Sequence, residues 1–222
     1  EIPQSLPQLA QQFRPLRGKQ NKKTSYTAIK TAIKISLSPT KTAFYDFPNV
    51  GYYAPFGYLP AVGIVAAGKL FAAPPLWLLY LSRWFTLLFW LLIIRRAIRW
   101  MPLQRTTFLF LIALPASLVF HAGLNPDALT NAACFLLLAG LLRLIYTDEK
   151  RRTFAAGLLL LSLVITVNKV VYAPLFLLGW LIPPHKFGGR RNYVLSNSVV
   201  FALHAAVLYG WYEFTHNLFI PY

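Results

Sequence analysis

Asp127 stands where two apolar stretches meet, in HAGLNPDALTNAACF, residues 121–135, and it is one of only six acids in the chain. A carboxylate at such a boundary can orient or deprotonate a hydroxyl group. Its natural complements are cations that hold a phosphate or pyrophosphate. Two cations fit that description: Arg83, near the middle of WLLYLSRWFTLLFWLLII, and Lys169, beside Asn168 in VNKVVYAP. His121 precedes Asp127 on the same side and could shuttle a proton or bind a substrate. Asn125 adds an amide, and Asp46 and Tyr53, in AFYDFPNVGYY, add an acid among rings able to stack on a sugar.

Each of these residues also has a plainer reading. Asn125, Pro126 and Asp127 match a helix N-cap, proline at the first helical position and an acid in the first turn, where the macrodipole favours negative charge. Arg83 costs about 2.5–3.5 kcal/mol in a membrane interior, so it is expected to face the bundle interior and find a partner there, a carbonyl, an asparagine or a phosphate. Lys169 either snorkels to water or contacts an anion at the break of an interrupted helix. His121 reads equally as an interfacial histidine, and Asp46 as a turn acid before Pro48. His185, His204 and His216 show no ligand spacing, and the chain has no HExxH, phosphate loop, GxSxG or DxD-like pair. No cofactor is indicated, and a divalent metal has no support from the residue pattern.

The elements that must position these groups follow from composition. The chain has 222 residues, 57% hydrophobic and 16% aromatic, with a net charge of +16. That apolar share exceeds what a soluble domain carries and reads as an integral membrane protein. The cations lie between apolar runs, where anionic lipid headgroups and the positive-inside bias account for them, so nucleic acid is not expected as a partner. The single cysteine, Cys134, excludes an internal disulfide framework. The chain opens on Glu1 without a leader pattern, and its only methionine is Met101. It is therefore expected to be a processed product or a fragment of a longer protein.

Residues 1–50 are polar and basic and are expected outside the membrane. Within them SYTAIKTAIKISL puts Tyr26, Ile29, Ile33 and Leu37 on one helical stripe, which reads as a short interfacial helix or a solvated turn. Residues 51–222 form the membrane part. It opens with a segment at 52–71 broken by Pro55, Gly57, Pro60 and Gly63, suited to an interfacial or re-entrant helix. Apolar segments follow at about 74–94, 103–123, 127–146, 153–183 and 193–212, each near the roughly 20 residues that a hydrocarbon core requires. The fourth is too long for one helix and is split at Asn168, which makes about six membrane segments after the broken one. The predicted fold is all-α, a polytopic transmembrane helix bundle with an outer interfacial segment.

Basic loops at 95–105, 143–152 and 185–191 alternate with turns around Asn125 and Asn168 that hold only Lys169. The positive-inside rule makes the three basic loops cytoplasmic, so Asp127 and Lys169 emerge on the outer face. The basic first 50 residues then also lie outside, which long polar segments tolerate.

EIPQSL, YYAPFGYLPAVGI, LYLSRWFTLLF, PASLVFHAGLNPDALTNA and NKVVYAPLFLLGWLIPPHKF together resemble a bacterial multi-spanning family, domain of unknown function 2142. That family is itself similar to the GT-C type of membrane glycosyltransferases. The resemblance covers nearly the whole chain. Family members tend to carry serines before the aspartate, where this chain has Gly123 and Asn125. The resemblance implies a GT-C-like multi-pass protein of the bacterial cytoplasmic (inner) membrane. It implies transfer of a sugar from a polyprenyl-phosphate donor at the outer face, in cell-surface glycan or glycolipid assembly. The acidic motif of the first outer loop would lie before Glu1, so this chain alone is expected to be inactive. Asp127 is then a supporting acid, with Arg83 and Lys169 on the phosphate side and His121, Asn125, Asp46 and Tyr53 near substrate. The expected partners are the polyprenyl-phosphate-linked sugar and anionic lipids. A transporter or flippase of lipid-linked saccharides and a non-catalytic membrane scaffold remain as rival readings. Sugar, acceptor and oligomeric state are not legible.

Overall fold

The computed structural model describes residues 2–16, 19, 21–38, 40–44, 54–148 and 152–218. The chain divides into two compact units, one of residues 1–47 and 59–86, the other of residues 48–58 and 87–222.

The first unit opens with a two-residue strand, β1 (Ile2–Pro3), then the helices α1 (Ser5–Phe13) and α2 (Tyr26–Ile33) and the strand β2 (Thr42–Ala43). β1 and β2 pair antiparallel, Ile2 opposite Ala43. Ser25 caps α2 by accepting the Ala28 N–H at 3.1 Å, as an N-cap serine does. The expected helical stripe is only partly the inward face. Ile29 packs with Leu9, Ala32 and Leu76, whereas Tyr26 is 80% exposed and Leu37 lies beyond the end of α2. Residues 52–71 were expected to be broken, and residues 55–58 are a 3-10 turn followed by α3 (Leu59–Leu70). At 12 residues α3 rises about 18 Å, too short for a hydrocarbon core of about 30 Å.

α4 (Pro75–Trp100) starts in the first unit and ends in the second. The buried positions of its first half recur every four residues at Leu78, Ser82 and Thr86, one face of a helix. Arg83 lies one residue, about 100° of helical rotation, from that face and is exposed. Within α4 the helical phase thus sets Arg83 off the face that carries Leu78, Ser82 and Thr86.

In the second unit α7 (Asp127–Tyr146) packs against both α6 (Pro115–His121) and α8 (Arg152–Asn168). α8 and α9 (Arg190–Thr215) flank a 3-10 helix at Val170–Leu181. The second half of α4 contributes Trp90, Ile94 and Ala97 to a core shared with Ala132 and Ala139 of α7 and with Phe108 of α5 (Arg105–Ile112). Small residues allow the close approaches. A Cβ on Gly140 of α7 would overlap the Leu158 side chain of α8.

Three helices, α4, α7 and α9, are long and apolar enough to cross a membrane among the described residues. The segment expected to span at 103–123 is divided into α5 and α6, of 8 and 7 residues. Pro115 is the cause. It has no N–H to continue α5, and Leu114 before it adopts φ −54°, ψ 130°, as a residue preceding proline prefers. The split expected at Asn168 is present. Lys169 is extended at φ −155°, ψ 103°, between the 17 residues of α8 and the 12-residue 3-10 helix.

Candidate functional site

The start of α7 is set by its capping residue. Asn125 Oδ1 accepts the Ala128 N–H at 2.9 Å and its amide donates to the Phe120 carbonyl at 2.9 Å, so one side chain closes α6 and opens α7. Pro126 follows without an N–H to satisfy, and Asp127 enters the first turn. This fixes Asp127 at one end of α7 without requiring its carboxylate for the cap.

The break after α8 brings the opposite charge. Lys169 Nζ donates to Asp127 Oδ1 at 2.7 Å, with both side chains between a quarter and a third exposed. The ammonium also stands 5.6 Å from the centroid of the Tyr172 ring, within cation–π range. Extended geometry at Lys169 is what turns its side chain out of the helical path, and the N–H of Tyr172 is taken by the Lys169 carbonyl at 2.9 Å.

Beneath the pair, Asn168 is 2% exposed and holds three elements together. Its Oδ1 accepts the Gly57 N–H at 3.4 Å, and its amide donates to the Thr130 hydroxyl. Thr130 in turn donates to the Pro126 carbonyl at 2.8 Å. Gly57 fits because it has no side chain. A Cβ there would come within 2.6–2.7 Å of Pro126 backbone atoms and 2.8 Å of its Cβ.

A second line of contacts leads from Tyr172 to His121. The Tyr172 hydroxyl donates to Asn131 Oδ1 at 3.2 Å, and the Asn131 amide reaches His121 Nε2 at 3.4 Å. His121 Nδ1 is 2.6 Å from the Ser117 carbonyl and 3.2 Å from its hydroxyl. A neutral imidazole with the proton on Nδ1 satisfies both ends, donating to Ser117 and accepting from Asn131. The ring is 4% exposed and stacks on Trp90 at 4.7 Å. Both ring nitrogens of His121 are thus engaged within the fold.

The structure brings together Asp127, Lys169, Asn125 and His121 of the expected residues. Arg83 belongs to the other unit, where its guanidinium lies 6.0 Å from the Tyr80 ring centroid. Asp46 and Tyr53 lie outside the described residues. Sequence reasoning missed Asn131, Thr130, Tyr172 and Gly57 as parts of the cluster. Asn131 is one helical turn from Asp127 along α7, a spacing that places the two side by side. Among the described residues no group of three or more His, Cys, Asp or Glu could hold a metal ion.

The arrangement provides a partly exposed ion pair, a phenol and an amide at one end of α7, held from below by buried amide contacts. Such a cluster can accept hydrogen bonds from hydroxyls and face an anion with one ammonium. No curated protein and no solved structure matches the chain. A family model, described as "Predicted membrane protein (DUF2142)", matches residues 1–220. With a polytopic pattern along the sequence and that match over almost its whole length, the chain belongs to this family of predicted membrane proteins, domain of unknown function 2142.

Proposed function

We propose that this chain forms part of a glycosyltransferase that takes its sugar from a polyprenyl phosphate at the outer face of a bacterial cytoplasmic membrane. The observation that carries the reading is the Asp127–Lys169 pair, set at a helix break in an apolar protein and still open to solute. Interrupted membrane helices are tolerated mainly where the freed backbone lines protein or a wet cavity. The likeness of the family to GT-C enzymes, drawn from the sequence, supports the same chemistry.

In this reading an acceptor hydroxyl attacks the anomeric carbon, the bond from that carbon to the phosphate oxygen breaks, and the electron pair leaves with the phosphate. Lys169 faces the phosphate and stabilises the charge it gains. Asp127 fixes the ammonium and accepts a hydrogen bond from a sugar or acceptor hydroxyl. The attacking hydroxyl gives up its proton to a carboxylate other than Asp127, which is already occupied with Lys169. Tyr172 presents a ring beside the site, and His121 and Asn131 hold its hydroxyl in place. Arg83, exposed on α4, has no part in this assignment.

Membranes containing the full-length protein test it, with a radiolabelled polyprenyl-phosphate sugar as donor. Asp127→Asn and Lys169→Gln lower transfer about a hundredfold, as loss of a positioning contact does. Arg83→Ala leaves it within about threefold of wild type. Undiminished transfer in both of the first two variants sinks the assignment.

A transporter of lipid-linked saccharides is the second reading, favoured by the 12-residue 3-10 helix after Lys169, since 3-10 runs longer than a few residues are uncommon and mark hinges or strain. Movement of a labelled lipid-linked saccharide across proteoliposomes without any change in its covalent structure would select it.

A further inference from the structure

Toward the other end of α7 from Asp127, the second unit has a half-open cavity of about 760 Å³ between α7, α8, α9 and the 3-10 helix at Val170–Leu181. Its α7 wall, Leu137 to Leu144, begins about 15 Å and ends about 26 Å along the helix from Asp127. The volume falls in the range of small-molecule sites, and the lining changes character along its length. Leu137, Leu158, Phe176 and Ile182 supply an apolar wall. Arg152, Lys186, Asn192 and Ser196 contribute polar groups to the same lining, and among the described residues no acid lines it.

Lys186 is the informative residue. Its side chain is only 14% exposed, and its ammonium donates to the Thr147 carbonyl at 2.7 Å and to Asp148 at 3.3 Å. Asp148 is 96% exposed, so water screens it and it compensates the lysine weakly. A nearly buried cation with a weak counterion, a second cation in the same lining and an apolar wall are what a lipid phosphate with an acyl chain would fill. A free anion would leave the leucine and phenylalanine wall without an occupant, and an uncharged lipid would leave the two cations without one. The basic loops at 143–152 and 185–191 border the same region and belong, by the positive-inside rule, to the cytoplasmic side.

We propose that this cavity binds one anionic phospholipid of the cytoplasmic leaflet, its phosphate held by Lys186 and Arg152 and one acyl chain lying along Leu137, Leu158 and Phe176. The site is independent of the sugar-transfer reading, because it shares no side chain with the Asp127 cluster.

The test uses the whole 222-residue chain in neutral detergent, with binding of phosphatidylglycerol, phosphatidylcholine and sn-glycerol 3-phosphate followed by native mass spectrometry. Phosphatidylglycerol is expected to bind at least tenfold more tightly than phosphatidylcholine. The double variant Arg152→Gln, Lys186→Gln reduces its affinity about thirtyfold. Ala155→Phe, which places a ring at the cavity wall and leaves both cations in place, also weakens it about tenfold. Wild-type protein provides a measurement that no folding defect can confuse: phosphatidylglycerol with a photoreactive acyl chain labels peptides containing residues 155–162 and 176–182. Equal binding of the two lipids overturns the proposal, as does labelling confined to other peptides. Glycerol phosphate binding as tightly as phosphatidylglycerol, with Ala155→Phe without effect, reduces the site to an anion contact and overturns the lipid assignment.

Discussion

Lys169 and Asp127, 42 positions apart in sequence, meet at 2.7 Å because a helix ends at Asn168 and another begins just after Pro126. Neither terminus alone would place a charge where the other needs it. The pair is the point at which two interruptions of apolar sequence become one feature.

A double-mutant cycle with Asp127→Asn and Lys169→Gln measures how far the two residues act together. Partly exposed partners in direct contact are expected to show a coupling energy of about 0.5–3 kcal/mol. Chemical unfolding in detergent gives the stability arm, and additive effects within about 0.3 kcal/mol would mean that the contact contributes nothing in solution.

Gly57→Ala should destabilise the second unit, since the new methyl group meets Pro126 backbone atoms that cannot rotate away. The expected loss is about 1–3 kcal/mol, typical of overpacking. Gly63→Ala is the internal control. It lies within α3 with nothing inside 4 Å of the added carbon, and it should stabilise by about 0.5–1 kcal/mol through helix propensity. Thermal unfolding followed by circular dichroism distinguishes them, and equal behaviour of the two variants would contradict the close approach at Gly57.

Asn168→Ala leaves the Gly57 N–H and the Thr130 hydroxyl without this partner in a buried setting. The Thr130 hydroxyl keeps its bond to the Pro126 carbonyl, so the cost falls mainly on the Gly57 N–H, and a loss of about 1–3 kcal/mol is expected. Hydrogen exchange at the Gly57 amide is the direct readout: it should speed up in the variant, and unchanged protection would show that the amide is held by something else.

The proposed orientation puts the Asp127 end outside. In a Cys134→Ser background, Leu124→Cys should react with a membrane-impermeant maleimide added to intact cells, while Arg99→Cys should react only after permeabilisation. The reverse pattern would invert the topology and place the ion pair on the cytoplasmic side.

Features that depend on neighbouring residues were legible in the sequence. The Asn125 cap, the proline after it and the break at Asn168 each follow from the chemistry of one or two positions, and the structure contains all three. Apolar length was a poorer guide. Residues 103–123 are greasy enough to span, yet Pro115 divides them, because hydrophobicity reports the solvent a segment prefers and not whether its backbone bonds continue. Arg83 shows the limit in another way: the sequence names a cation within an apolar run, and only helical phase decides the direction in which it points. Pairings such as Lys169 with Asp127 or Tyr172 with Asn131 depend on the register between helices, which spacing along one helix does not contain.

The Gly57–Asn168 bond joins positions 111 residues apart. During synthesis, at about 5–20 residues per second, the Gly57 amide emerges several seconds before the side chain that will accept its proton exists. Until then it has to be hydrated or held by the translocation machinery. Contacts of such long sequence separation form late because the intervening chain must first be ordered. The Asp127 cluster is therefore completed only once α8 and the residues just after it have been made, later than α7, whose first turn supplies the carboxylate.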